Sequence, residues 1–204
     1  MMMNSQRWQQ LMRSLQLQGN EDTCTALILA YSESHRHYHT CEHIHASLKH
    51  LDATRSLAEN SDAIELALWF HDAVYQPYAA DNERKSADWA MRFLQANACQ
   101  QSLVDGVDDL IMVTMHNEEP KTSDQQLILD IDLAILGAPA VVYDQFESNV
   151  RKEYRWVPFF LYRKKRKQIL YSFLNREHIY HQPFFASKFE DQARHNLNRA
   201  IKNL

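Results

Sequence analysis

Only three glycines, Gly19, Gly106 and Gly137, are spread over 204 residues, and this scarcity constrains the fold more than any other feature of the chain. Tight hairpins draw on residues that tolerate positive φ, and phosphate-cradling loops need a backbone that can be approached closely. A glycine-turned β-sandwich and a glycine-loop nucleotide fold are therefore both disfavoured. Long helices are the opposite case, because glycine and proline are the residues that cost most inside a helix, and the prolines number only 5. The expected class is all-α.

At this length a single globular domain buries roughly 70% of the surface its unfolded chain would expose, so neither disulfides nor a structural metal is needed for stability. Cys24, Cys41 and Cys99 are odd in number and contain no CxxC pair, which fits a reduced, cytoplasmic compartment. Residues 1–20 carry polar residues throughout and lack the unbroken apolar stretch of a signal peptide. The longest apolar stretches, such as Ala26 to Tyr31, fall far short of the roughly 20 residues of a membrane span, so no membrane partner is expected. The formal net charge of −4 favours no class of partner, whereas the 11 histidines stand out.

Apolar spacing reads as helix nearly everywhere. Trp8, Leu11, Met12 and Leu15 share a face, with Gly19 as the stop, and a second helix covers about 22–31. Thr40 caps a third helix carrying Ile44, Leu48 and Leu51, and Asn60 or Ser61 caps a fourth carrying Ile64 and Leu68. Helices follow over about 82–97 and 102–115. Ser123 with Gln126 forms a capping-box pattern for a seventh, ended by Gly137. Beyond Pro139 a helix runs over about 140–155, and Pro158 separates it from another reaching about 176. Ser187 and Glu190 give a capping-box signature for the last. The expectation is one domain over 1–204 with about nine or ten helices, a core at about 22–136 and carboxy-terminal helices at about 138–204 packing on it.

Three short segments place ionisable side chains on apolar helical faces. His43 heads the third helix at the edge of its stripe. In Trp69-Phe70-His71-Asp72, His71 shares a face with Ile64 and Leu68, and burying Asp72 beside it is costly without a compensating positive charge. In Asp130-Ile131-Asp132, Asp132 shares a face with Ile128 and Ile135. A divalent cation answers all three. Two imidazoles and two carboxylates form a mixed nitrogen and oxygen shell suited in different degrees to Mn, Fe, Co, Ni, Zn or Mg.

The order His43, then His71-Asp72, then Asp132, each on its own helix, resembles the HD superfamily of metal-dependent phosphohydrolases. The segments RHYHTCEHI, FHDAVYQP, DNERKSA, VRKEY and ARHNL are similar to those of a bacterial subgroup of predicted HD phosphohydrolases, over most of the chain. The resemblance implies an HD-type helical bundle and His43, His71, Asp72 and Asp132 as metal ligands. It further implies metal-assisted hydrolysis of a small phosphorylated substrate, such as a nucleotide. In the subgroup an Asn-Glu pair recurs near the site, which makes Glu83 the leading general acid or base and Asn82 a substrate contact. Guanosine tetraphosphate hydrolases of the superfamily carry Glu-Asp four and five residues after the HD histidine. Tyr75 and Gln76 stand there instead, so that activity is not implied.

Other residues keep two readings. His39 is a substrate or metal contact, or a loop residue. His116 is a proton-transfer residue, or a helix-end cap favoured by the dipole. Asp130 is an alternative acid or base, or a carboxylate that orients a ligand histidine. Between Arg151 and Lys167 eight basic residues face one acid, Glu153. A solvated helix face explains them, and so does recognition of an anionic ligand or nucleic acid, with Arg151 and Arg166 as phosphate contacts. The rival function is accordingly a metal-containing binding module that contacts nucleic acid or an anionic ligand without turnover.

Overall fold

The computed structural model describes residues 5–204, and all of its regular structure is helical. The first four residues of the polar amino-terminal stretch lie outside the described residues. Ten α-helices follow one another: α1 Ser5–Ser14, α2 Glu21–Ala30, α3 Cys41–Thr54, α4 Ser61–Phe70, α5 Asn82–Ala96, α6 Gln101–Met112, α7 Ser123–Leu133, α8 Ala140–Glu153, α9 Phe159–Leu174 and α10 Pro183–Asn203. The all-α expectation and its count of nine or ten hold for the described residues. No single helix among them is long and apolar enough to cross a membrane. Cys24, Cys41 and Cys99 are all free thiols.

The contacts divide the described residues into two compact bodies, 5–129 and 130–204, with the division inside α7. In the first body α4 is the central element. Every residue from Ala63 to Phe70 is buried, and the helix packs against α1, α3, α5 and α6. A helix enclosed by neighbours is apolar on most sides, and the one charged member of this run, Glu65, is paired with Arg7 and Arg55. Trp8 of α1 meets Trp69 edge-on at 5.2 Å and donates its indole N–H to the Gly19 carbonyl at 2.8 Å. That bond, rather than a helix stop, is what Gly19 contributes.

Helix ends use other residues than glycine. The α1 chain turns at Gln16, whose φ is 58°, and the Leu17 N–H reaches the Met12 carbonyl at 2.8 Å. After α5 the same pattern recurs at Ala98, with φ 54° and the Cys99 N–H on the Leu94 carbonyl at 3.1 Å. Both are Schellman ends in which the left-handed position holds a residue with a Cβ, at a cost of about 1–2 kcal/mol. Ala98→Gly is expected to raise stability by about 0.5–1 kcal/mol, the relief less the extra entropy of unfolded glycine. Thermal unfolding of the variant against the parent checks this.

Three starts follow sequence logic, with shifts. Thr40 and Asn60 cap α3 and α4 through their side chains. For α7 the accepting hydroxyl is that of Thr122, which takes the Gln125 N–H at 3.1 Å. The last helix begins four residues before Ser187, at Pro183, where proline suits a first turn.

In the second body α10 packs on the 3₁₀ turn Ala134–Gly137 and on α8 and α9. Phe189 of α10 lies so close to Gly137 that a Cβ there would be 2.5 Å from its Cβ and 2.7 Å from its carbonyl oxygen. Asn196 donates to the carbonyls of Leu136 and Ala138, at 2.9 and 2.8 Å, on either side of that contact. Tyr180 donates its hydroxyl to the Leu133 carbonyl at 3.0 Å.

Candidate metal centre

Helix ends position both histidines of the predicted set. The Thr40 cap starts α3 so that His43 falls in its first turn, 6% exposed. His71 closes α4, its N–H on the Ala67 carbonyl at 2.8 Å and its side chain 2% exposed. The ring Nδ1 of His71 lies 2.9 Å from the Leu68 carbonyl oxygen. A carbonyl only accepts, so Nδ1 carries a hydrogen, and Nε2 is left as the ring nitrogen that would ligate a metal ion once it carries no proton.

His43 Nε2 stands 3.1 Å from His71 Nε2. Asp72 Oδ2 is 3.2 Å from His71 Nε2 and 3.5 Å from His43 Nε2. Two ligands at right angles on one cation, each roughly 2.1 Å from it, are roughly 3.0 Å apart, so these three atoms have the spacing of neighbouring ligands. Burial alone would raise the Asp72 carboxyl pKa, but the imidazoles of His71, His39 and His43 outweigh it and hold the group below the ordinary carboxylate range. Asp72 is thereby kept ionised. Asp132 occupies the last turn of α7 and is half-buried. Within the first body, His43, His71 and Asp72 are the side chains spaced to share a metal ion.

Arg36, which sequence reasoning passed over, holds the two approaches to this site. Its side chain is fully buried. The guanidinium donates to the carbonyls of Asp72 at 2.6 Å, Ala73 at 2.9 Å and His39 at 3.2 Å, and its Nε to Glu33 at 3.0 Å. It also lies over the rings of Tyr31 and Tyr75, 5.2 and 5.5 Å from their centroids. A planar fork with fixed donors suits this task, and lysine could not replace it. The signal was present: an arginine opening RHYHTCEHI, in a stretch too polar for its charge to stand out.

The other predicted residues separate into groups. His39 stacks on Tyr75 at 4.1 Å and meets the His43 ring edge-on at 6.2 Å, so it borders the site from the loop before α3. Glu83 lies in the first turn of α5; burial raises its carboxyl pKa, the Asp72 charge adds to the rise, and His116 and His39 oppose it. Glu83, Asp72, His39 and His116 therefore share one electrostatic neighbourhood. His116 ends the 3₁₀ turn after α6 with φ 57°. Asn82 uses both ends of its amide on the Gln76 backbone, at 2.9 and 3.0 Å, and so shapes the loop after the HD pair.

Asp130, Arg151 and Arg166 are engaged within the second body. Asp130 is fully buried and accepts N–H bonds from His181 and Gln182. Burial is the chief cause that pushes its carboxyl up to about 7. Arg151 donates to the carbonyls of Tyr154 and Val157 and lies over the Tyr162 ring, while Arg166 pairs with Glu147 at 2.7 Å. As phosphate contacts both would have to leave these partners. Among the remaining histidines, half-buried His35 contacts the Tyr75 carbonyl at 2.8 Å through its ring nitrogen instead of lying free on the surface.

No family model matches the chain, and neither does any curated protein or solved structure.

Proposed function

We propose that the protein is a metal-dependent phosphohydrolase of the HD type, acting on a small phosphorylated molecule, with His43, His71, Asp72 and Asp132 as the metal ligands. The observation that carries this reading is the His71 ring, oriented by its Nδ1–H on the Leu68 carbonyl so that Nε2 faces His43 and Asp72 at ligand spacing. A divalent cation bound there supplies acidified water and offsets charge on a phosphoryl group.

The chain's own residues account for the remaining requirements. Arg36 fixes the backbone on which the ligand Asp72 and the bordering His39 are carried, so both are ordered before anything binds. Glu83, with its carboxyl pKa raised by burial, is able to hold a proton nearer neutrality than an exposed glutamate, as a general acid or base must. His39 and His116 flank it and can hold or pass a proton in the same neighbourhood.

Turnover of a panel of phosphomonoesters and nucleotides with Mn, Co, Ni and Mg tests the proposal. Glu83→Gln is expected to retain metal yet lower kcat by about 100-fold or more, the usual scale for a lost proton-transfer group. Absence of turnover with every metal would overturn the enzymatic reading and leave a binding module.

A further inference from the structure

An exposed apolar cluster of the second body lies among charges of a single sign. Trp156, Phe159, Phe160 and Leu161 are 58%, 58%, 69% and 46% exposed, and Pro158 between them is exposed as well. They occupy the connection from α8 and the first three residues of α9. No aspartate or glutamate occurs from residue 154 to 176. Arg155 on one side and Arg163, Lys164 and Lys165 on the other are exposed, and none makes an ion pair among the described residues. The chain as a whole is acidic at −4, so the cationic character of this face is local.

Helix α9 separates its inner and outer sides cleanly. Tyr162, Arg166 and Leu170, at four-residue spacing, are the buried stripe, with Arg166 held by Glu147. The outer side carries Phe160, Leu161, Lys164 and Lys165, continued by exposed Ile169 and Tyr171. Packing within the body therefore explains the inner stripe and leaves the outer one unaccounted for.

We infer that this face docks on an anionic lipid surface, with Trp156, Phe159, Phe160 and Leu161 entering the headgroup layer and Arg155, Arg163, Lys164 and Lys165 meeting lipid phosphates. Charge decides against a second copy of the chain, since apposing two such faces would gather eight unpaired cations. Single-stranded nucleic acid favours aromatic platforms interleaved with cations along a groove. Here the bulky side chains come first and the cations follow in the next turn, and Leu161 and Pro158 have no π face for a base. Apolar and tryptophan side chains at one level with basic side chains beside them match the headgroup region of a bilayer. Attachment is peripheral and reversible, and it does not depend on the proposed catalytic reading.

Co-sedimentation of the full chain with vesicles tests the inference, using phosphatidylcholine alone and phosphatidylcholine with about one third phosphatidylglycerol. Binding to the anionic vesicles is expected to be at least about tenfold tighter and to weaken with added salt. The double variant Lys164→Glu, Lys165→Glu should lose that preference, and Phe160→Ser with Leu161→Ser should lower binding while circular dichroism stays that of the parent. All these positions are exposed, so the fold should survive. Equal or absent binding to the two vesicles would overturn the inference, as would wild-type binding by both variants. Binding of a single-stranded RNA without the vesicles would assign the face to nucleic acid, and a doubled molar mass lost in the Phe160 variant would assign it to self-association.

Discussion

His71→Ala is expected to empty the metal centre, lowering metal from about one ion per chain to less than about a tenth. Of the proposed ligands His71 has the most fully fixed geometry: its backbone N–H closes α4, its Nδ1–H is held by Leu68, and its Nε2 is the atom nearest both His43 and Asp72. Removing the ring leaves His43 and Asp72 without their common neighbour. The substitution also opens a small buried space, worth about 1–3 kcal/mol of stability, so loss of metal alone would not isolate the ligand role. Asp72→Asn supplies the separation, because it keeps volume and removes the negative charge. Metal analysis after dialysis, with thermal unfolding in parallel, reads both. Full occupancy in folded His71→Ala protein would remove it from the ligand set.

Gly137→Ala is expected to be the most damaging small substitution in the second body, at about 3 kcal/mol or more. The new Cβ would lie 2.5 Å from Phe189 Cβ, 2.7 Å from its carbonyl oxygen and 2.9 Å from its Cα. These atoms are backbone or fixed to it, so no change of rotamer relieves the clash. Nor can the 3₁₀ turn slide, since Asn196 grips the carbonyls on both sides of Gly137. The midpoint of thermal unfolding should fall by about 6–12 °C for a chain of this size. Gly106 provides the control. It lies inside α6 with nothing within 4 Å of a new Cβ, so Gly106→Ala should stabilise by about 0.5–1 kcal/mol. Similar midpoints for the two variants would refute the steric account.

Gly137 also shows where sequence reading stops. Periodicity marks it as the end of a helix, which is its local role, while the demand for glycine comes from Phe189, 52 positions later in the chain. The helical class was legible for the reverse reason, since scarcity of glycine and proline acts locally and everywhere. His43, His71 and Asp72 were legible because an ionisable group on an apolar helical face stands out against its neighbours. Asp130 met the same criterion as Asp132, and nothing in a period of 3.6 separates them. What separates them is the pair of backbone N–H groups, those of His181 and Gln182, which Asp130 accepts. Glu190 was misread similarly: it looked like the partner of Ser187 at a helix start, but its carboxylate takes the N–H groups of Ile179 and Tyr180. Arg36 was missed because its value lies in three carbonyls supplied by the loops before α3 and after α4.

The two carboxylates just named have a consequence for local opening. Glu190 and Asp130 between them hold the N–H groups of four consecutive residues, 179 to 182, in a segment with no regular secondary structure. Ile179 and Tyr180 are buried as well. Amide hydrogens in such a connection ordinarily trade with solvent quickly, because nothing must unfold to release them. Here none of the four can be released without taking a backbone donor from buried Asp130 or half-buried Glu190. The irregular stretch before α10 thus belongs to the slow-exchanging core of the second body, and it opens only when that body does.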